Sequence, residues 1–570
     1  MPHHLAVGIQ VAGSYFYLPH WQQGAFSALL LLHNGLSYQA MATRSNTYVK
    51  VYFLLVFLLG VFIFKDYGVS WDESIDRING MVNAKYIMAT LAPEWTEHQL
   101  VFTNVPDFAA HLENDHGALF HLPLAFMEVV WPGLDSRTYY LVRHFCIFLT
   151  FLLALWSVYK IALVRFKSQL LGLLTSALLL LSPRIFADGF YNGKDLVFLS
   201  FFTFGIYTLI RLLERPTLAR AALHGFATAI ATDVRILGCL LFALSIGMFM
   251  IEAIWGEKPK AERRQLGKAI SLYCVVAISL TVVGWPYLWE DPAGKFLEAF
   301  DKMKRFRWEG DVYYLGQVVK GIELPWHYAP VWIAITTPVA YSLAFLAGAV
   351  IWLYTVVRYR FAVLRALEGR IDVLLAGWFS IPLLMVILLH SVIYDGWRHL
   401  YFIYPAFLVV AVRGAYAVWQ ASKNSLVLKR ATLVLAVLAG AEAVYTAVRM
   451  VAAHPNQQVF FSFLSPEQVE QLFDRDYWGV AYRQGLEWIS THDTAAQLTI
   501  NAPVSIVLEN NLAILKPADR ARFKINGTDK ERYYLTAYRM HPEAYPDTIG
   551  NEVYTLKTNG IKILSVFYRW

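Results

Sequence analysis

Along most of this chain apolar residues come in long unbroken runs, with polar residues confined to the stretches between them. A membrane-crossing helix needs about 20 apolar residues, and that pattern predicts about eleven spans. They lie near 49–65, 141–164, 169–187, 196–212, 220–235, 237–255, 267–285, 331–357, 372–391, 400–419 and 429–451. The fifth and sixth are joined by very little chain. Between the first two, the stretch 66–140 is too long for a plain connection. Its segments 74–91 and 117–131 carry apolar faces at helical spacing and are expected to lie along the membrane surface. After about residue 452 the runs end. An amphipathic helix over 466–490 and alternating strands around Tyr533-Tyr534-Leu535, Val553-Tyr554-Thr555-Leu556 and Ile561-Lys562-Ile563-Leu564 follow, with a hairpin turn at Thr558-Asn559-Gly560.

The expected fold is therefore a polytopic α-helical membrane protein with a small C-terminal α+β soluble domain. Its expected parts are a leader (1–40), a transmembrane catalytic domain (41–451) and a soluble tail domain (452–570). The leader holds only a short apolar run, Ala25 to Leu32, and Met41 reads as an ordinary start before a first span. The leader is thus read as disordered or as lying upstream of the true start, and a cleaved signal peptide fits less well because no small-residue cleavage site follows a charged segment.

Composition strengthens this picture. Only 16% of the 570 residues are charged and 57% are hydrophobic, against about 25% charged in a soluble protein. The net charge of +7 is scattered between apolar blocks and forms no polybasic patch, so nucleic acid is not an expected partner. Cys146, Cys239 and Cys274 lie inside apolar segments without ligand spacing and read as small core residues.

The basic residues fix an orientation. Lys and Arg collect in every second connection: Arg44 and Lys50, Arg165 and Lys167, Arg211 to Arg220, Lys258 to Lys268, Arg358 to Arg370, and Lys423 to Arg430. These loops and the N-terminus are expected in the cytoplasm. The other loops then face outward, as does the tail.

Those outward loops hold the candidate chemistry. Ser70-Trp71-Asp72-Glu73 places two carboxylates at the end of the first span, suited to deprotonating a hydroxyl or holding a cation. The same pattern suits the start of a surface helix. Arg184 and Lys194 sit near membrane depth and need anionic partners, either Asp188 and Asp195 or a lipid phosphate. Arg398 and His399 open a helix, where a phosphate can bind or the charge can simply reach to the interface. Asp233 and Arg235 form a further outward turn. Trp285 to Trp289 suit an interfacial aromatic belt or a sugar platform. Glu113, Asp115 and His116 could bind a divalent cation, although their spacing does not favour a metal. No metal ligand is assigned, and a divalent cation is the one cofactor left open.

With these residues in place, the chain resembles the class C glycosyltransferases, in the branch of the protein O-mannosyltransferases and lipid A aminoarabinose transferases. The likeness runs from about residue 49 onward. Asp72-Glu73 after the first span is similar to the acidic motif of that class, and Asp115-His116-Gly117-Ala118-Leu119 to a degenerate form of its His/Lys-Pro-Pro-Leu segment, without the prolines. Ser182 to Asp195, Leu324 to Tyr328, Thr336-Thr337-Pro338, Arg398 to Phe402, His454 to Gln457 and Asp476 to Gly479 look like one bacterial subgroup.

The resemblance implies an enzyme of a bacterial inner membrane, with its tail in the periplasm. It would transfer a sugar, with inversion, from a polyprenyl-phosphate donor to an extracytoplasmic glycan, lipid or protein. It also implies roles. Asp72 and Glu73 are catalytic, Asp72 as the base. Arg184, Lys194, Arg398, His399 and His116 bind the donor phosphate. Asp188, Asn192, Asp195, Tyr394 and Trp285 bind substrate. Membrane lipids are the remaining partners. Two other readings stand beside this one: a lipid or sugar transporter or flippase, and a non-catalytic subunit of an envelope glycan assembly. No internal repeat supports the first.

Overall fold

The computed structural model describes residues 47–256, 258–304, 308–525 and 531–569. The expected leader lies outside the described residues. The chain divides into two compact units, Met1–Phe57 and Leu58–Trp570. Of the first, only the opening turns of the apolar helix Thr47–Ile63 are described.

The second unit is a helical membrane protein. Among the described residues eight helices are long and apolar enough to span: Ser136–Phe166, Asp195–Glu214, Ile236–Trp255, Lys260–Gly284, Val339–Arg365, Leu367–Leu388, Arg398–Ser422 and Leu426–Ala452. A ninth is counted if the bent pair Gln169–Leu180 and Pro183–Tyr191 is one span. Every stretch expected to span is mainly helical, but three of the expected eleven fall short of a straight span. Thr47–Ile63 and Leu218–Val234 stop at 17 residues. Gln169–Leu180 turns by 71° into Pro183–Tyr191, where Pro183 takes the first helical position, which needs no N–H. Residues 188–191, which the expected spans leave to a connection, are therefore helix. The expected span 331–357 is likewise interrupted, into Tyr328–Thr336 and Val339–Tyr359, because Pro338 cannot continue a helix.

Local chemistry sets the ends. Asp135 accepts from the Arg137 N–H at the start of Ser136–Phe166, and Lys167 closes that helix in the left-handed region (φ 53°). Ser168 and Ser425 cap the helices that follow them in the same way. In the first long loop, Glu73–Leu91 and Leu122–Val130 form close to where their apolar periodicity predicts. They pack on each other through Met81, Ala84, Leu122 and Ala125.

Two strands, β1 (Asp311–Tyr314) and β2 (Gln317–Lys320), pair antiparallel before Tyr328–Thr336. The tail carries a five-stranded mixed sheet built from β3 (Leu498–Asn501), β4 (Phe523–Ile525), β5 (Tyr533–Ala537), β6 (Asn551–Thr558) and β7 (Ile561–Tyr568), in the order β4-β3-β5-β7-β6. The β6–β7 hairpin turns at Asn559 and Gly560, both at positive φ (51° and 84°), as the Asn-Gly pair requires. The helix expected over 466–490 is two shorter ones, Pro466–Leu472 and Tyr482–His492.

The tail grips the chain just before Asp72. Asn511 exchanges side-chain bonds with both backbone groups of Val69 (3.1 Å each), Asn510 donates to the Ser70 carbonyl (3.0 Å), and Arg483 donates to the carbonyls of Lys65 and Tyr67 (2.6 and 2.8 Å). Gly68 lies so close that a Cβ there would meet the Val480 carbonyl oxygen at 2.2 Å. Only glycine allows that approach.

Candidate functional site

At the end of the bundle where Ser136–Phe166 begins, carboxylates and cations from far-apart segments meet in two linked groups. The inner group is enclosed. Arg143, fully buried in Ser136–Phe166, donates from Nε to Glu73 Oε2 (3.2 Å), from Nη2 to Asp76 Oδ2 (2.5 Å), and from Nη1 to His121 Nδ1 (3.1 Å). Glu73 also receives the Ser70 N–H (2.8 Å) and lies 3.2 Å from His144 Nε2. Gly193 leaves room for the guanidinium, since a Cβ there would stand 2.1 Å from Arg143 Nη2. Burial pushes the His121 ring down to about 3 against the pull of Asp76, with Arg143 and Lys194 adding to the lowering, so it is neutral and its Nδ1 accepts from Arg143. Burial works to raise Asp76, but Lys194, His121 and Arg143 overcome it and hold its carboxyl below the usual carboxylate range.

The outer group is more open. Arg398 places one Nη1 between Asp72 Oδ2 (2.9 Å) and Asp195 Oδ2 (3.1 Å), and its Nη2 lies 3.5 Å from Asp395 Oδ2. Its guanidinium rests on the rings of Tyr394 (4.9 Å) and Trp478 (4.6 Å). Asp195 Oδ1 is held by Arg235 Nη2 at 2.5 Å, and Asp395 Oδ1 by Arg539 Nη2 at 2.8 Å. Asp72 is the accessible carboxylate of the set, with 24% of its side chain exposed against 0% for Glu73. The Arg398 Nε and His399 Nδ1 have no hydrogen-bond partner among the described residues.

Lys194 joins the two groups. Its Nζ is 3.1 Å from Asp76 Oδ1 and 3.6 Å from Glu113 Oε2. Burial would lower it, but Asp76, Glu113 and Asp72 together raise it and keep the ammonium charged. Beside this centre, a shallow cavity lined by Leu324, Pro325, Trp326, His390 and Ile393 opens next to the loop that carries Asp395.

The structure thus brings Asp72, Lys194, Asp195, Tyr394, Arg398 and His399 together, and His116 borders them. His116 is half exposed, 3.4 Å from Asp115 and 3.9 Å from Glu113. Other expected site residues are enclosed and engaged elsewhere. Glu73 belongs to the inner group. Arg184 donates from Nε to the Phe460 carbonyl (3.0 Å) and lies between Trp332 and Phe461. Asp188 is buried and takes the Tyr191 hydroxyl (2.9 Å) and the Asn192 amide (3.0 Å). Asn192 is buried and caps the helix begun by Asp195, accepting its N–H at 2.8 Å. Trp285 is fully buried in a core with Tyr287, Leu288 and Ala299, so its ring presents no platform. Among the described residues no group of three or more His, Cys, Asp or Glu side chains is placed to hold a metal ion.

Sequence reasoning missed Asp76, His121, Arg143, Asp395, Trp478 and Arg539. Arg143 and His144 stand inside a predicted span, and a charge at that depth was a readable signal. Asp76 follows Asp72 by one helical turn. Nothing in the sequence connects Arg539 to Asp395.

Residues 74–290 match the family model of dolichyl-phosphate-mannose-protein mannosyltransferases. The matched segment is under half of the chain. No curated protein matches the chain. Among solved structures, ArnT from Cupriavidus metallidurans in the apo state is similar at 14% identity and a TM-score of 0.46, over 91% of this chain and 98% of that one. AglB from Archaeoglobus fulgidus, an archaeal oligosaccharyltransferase in complex with an inhibitory peptide and a dolichol-phosphate, is similar at 10% identity and a TM-score of 0.46, over 86% of this chain and 70% of that one. The apo oligosaccharyltransferase of the same organism gives 10% identity and a TM-score of 0.45 over 73% of this chain, which spans only 57% of that one.

Proposed function

We propose that this chain transfers a sugar from a polyprenyl phosphate to a hydroxyl of an extracytoplasmic glycan, lipid or protein, with inversion at the anomeric carbon. The observation that carries the reading is Asp72. It is a partly open carboxylate, held 2.9 Å from a buried arginine whose Nε is unpartnered, immediately before the segment matched by the family.

In the proposed step the acceptor oxygen attacks the anomeric carbon and its proton passes to Asp72. The bond from that carbon to the phosphate oxygen breaks, and the electron pair leaves with the polyprenyl phosphate. Arg398, 2.9 Å from Asp72, and Lys194, whose charge Asp72 helps to hold, take the charge that develops on the phosphate. Fixed charges in a site shielded from water are the largest source of barrier lowering in such transfers. Glu73, being enclosed, fixes the start of the helix behind Asp72 and does not touch substrate. The shallow cavity at Leu324 to Trp326 suits the first isoprene units. The outward loops and the tail are read as periplasmic, and the enzyme as one of a bacterial inner membrane.

The test is consumption of a polyprenyl-phosphate sugar by the purified protein, followed by mass spectrometry, with cell-envelope extract as acceptor. Asp72→Asn is expected to slow turnover by about 10²–10⁴-fold, the usual worth of a positioned base. Turnover at the wild-type rate in that variant overturns the assignment of the base.

A further inference from the structure

Arg539 comes from the tail, 144 residues beyond Asp395, yet its Nη2 reaches Asp395 Oδ1 at 2.8 Å. Its other nitrogen donates to the Tyr477 carbonyl (3.3 Å), and its guanidinium lies over the ring of Trp71, the neighbour of Asp72, at 5.0 Å. The backbone there is pinned. Asp474 accepts the Met540 N–H at 2.7 Å, and Arg475 reaches the Pro542 carbonyl at 3.3 Å. Arg539 is thus delivered to the site by a fixed loop.

The charge balance shows what that contact does. In the outer group three carboxylates, Asp72, Asp195 and Asp395, face three guanidinium groups, Arg398, Arg235 and Arg539. Arg235 shares Asp195 with Arg398, and Arg539 shares Asp395 with it, so neither carboxylate spends its whole charge on Arg398. Asp395 approaches Arg398 only at 3.5 Å while it is held by Arg539 at 2.8 Å. Without Arg539, Arg398 is the one cation left to Asp395 among the described residues, and the full charge of a buried carboxylate falls on it.

We infer that Arg539 is a positioning residue: by holding Asp395 it keeps Arg398 available to the anionic group of the donor, so the tail sets the donor affinity of the membrane part. The inference rests on the proposed donor. An incoming phosphate then displaces Asp72 from Arg398 Nη1, which frees the carboxylate for its proton only when a donor is present.

The experiment measures binding of farnesyl monophosphate to the full-length protein in detergent, for the wild type, Arg539→Ala, Arg539→Lys, Asp395→Asn and the Arg539→Ala/Asp395→Asn pair. The expected result is that Arg539→Ala binds about tenfold more weakly, that Lys restores most of the loss, and that removing Arg539 has no further effect once Asp395 is Asn, as coupling through one shared partner requires. Asp72→Asn is expected to bind more tightly than the wild type. Wild-type affinity in Arg539→Ala, or a loss that persists unchanged in the Asp395→Asn background, overturns the inference while leaving the donor reading intact. A wild-type protein that binds no farnesyl monophosphate overturns the donor reading, and the inference with it.

Discussion

Helix Ser136–Phe166 carries arginine toward both ends of the bundle, at Arg143 and Arg165, roughly 33 Å apart at 1.5 Å per residue. The buried charges at those ends are arranged in opposite ways. Around Arg165 the cations outnumber the carboxylates. Asp372 is shared by Arg165 (2.6 Å) and Arg413 (3.1 Å), and Glu252 by Arg370 (2.9 Å) and Lys258 (3.6 Å). Around Asp72, three carboxylates face three guanidinium groups, and one of these, Arg398, is contested by all three carboxylates. A carboxylate saturated by two cations has nothing to exchange and fastens helices together. A cation contested by several carboxylates can trade one of them for a new anion. The ratio of charges distinguishes the two ends more than their number does.

Three changes sharpen this contrast. The largest effect is expected from Arg143→Met, which leaves Glu73 and Asp76 buried without their shared cation. A loss of about 3–5 kcal/mol of stability follows, read as a lowered thermal midpoint in detergent. A midpoint unchanged from the wild type contradicts the account of the enclosed group. Next, Asp372→Asn at the other end is expected to cost about 1–3 kcal/mol, while turnover per folded molecule stays as in the wild type. A variant that folds normally but turns over slowly would show that this end is more than a fastening.

The smallest effect is a pH slope at the seam between tail and site. Burial pushes the Asp474 carboxyl from 3.8 up to about 6, with Arg539 pulling back. A raised folded value means that the folded state holds this proton longer. The group's contribution to stability is therefore complete below about 3.8 and is lost as pH rises through about 6. Thermal midpoints of the wild type and Asp474→Asn between pH 4 and 7 check this, since the difference between them should change over that window and level off above it.

Much of the architecture was legible in the sequence because a bilayer imposes one strong rule, and apolar length reports it directly. The Asn559-Gly560 hairpin was equally readable, since few other pairs accept two positive φ values. Spans were over-counted where length was ambiguous, as in Leu218–Val234, or where Pro183 broke an apolar run whose composition stayed continuous. In the site, the placement of Lys and Arg foretold which loops would meet, and Asp72, Lys194, Asp195 and Arg398 do meet. Burial was not legible. Arg184, Asp188 and Trp285 look as reactive in one dimension as Arg398, and only packing shows that Phe461, Tyr191 and Tyr287 close over them. Arg539 was invisible because its partner is reached through the sheet of the tail.

The clamp around Gly68 bears on how the protein is made. Val69 emerges from the ribosome early, and Asn511, which holds both its backbone groups, follows 442 residues later. The segment leading to Asp72 is therefore fastened only after nearly the whole chain has been synthesised and the tail has folded. A nascent or truncated chain can already be seated in the bilayer with the charges of its helices present, but the segment before Asp72 is not yet anchored. Assembly of the last segment is in this sense the step that arms the first.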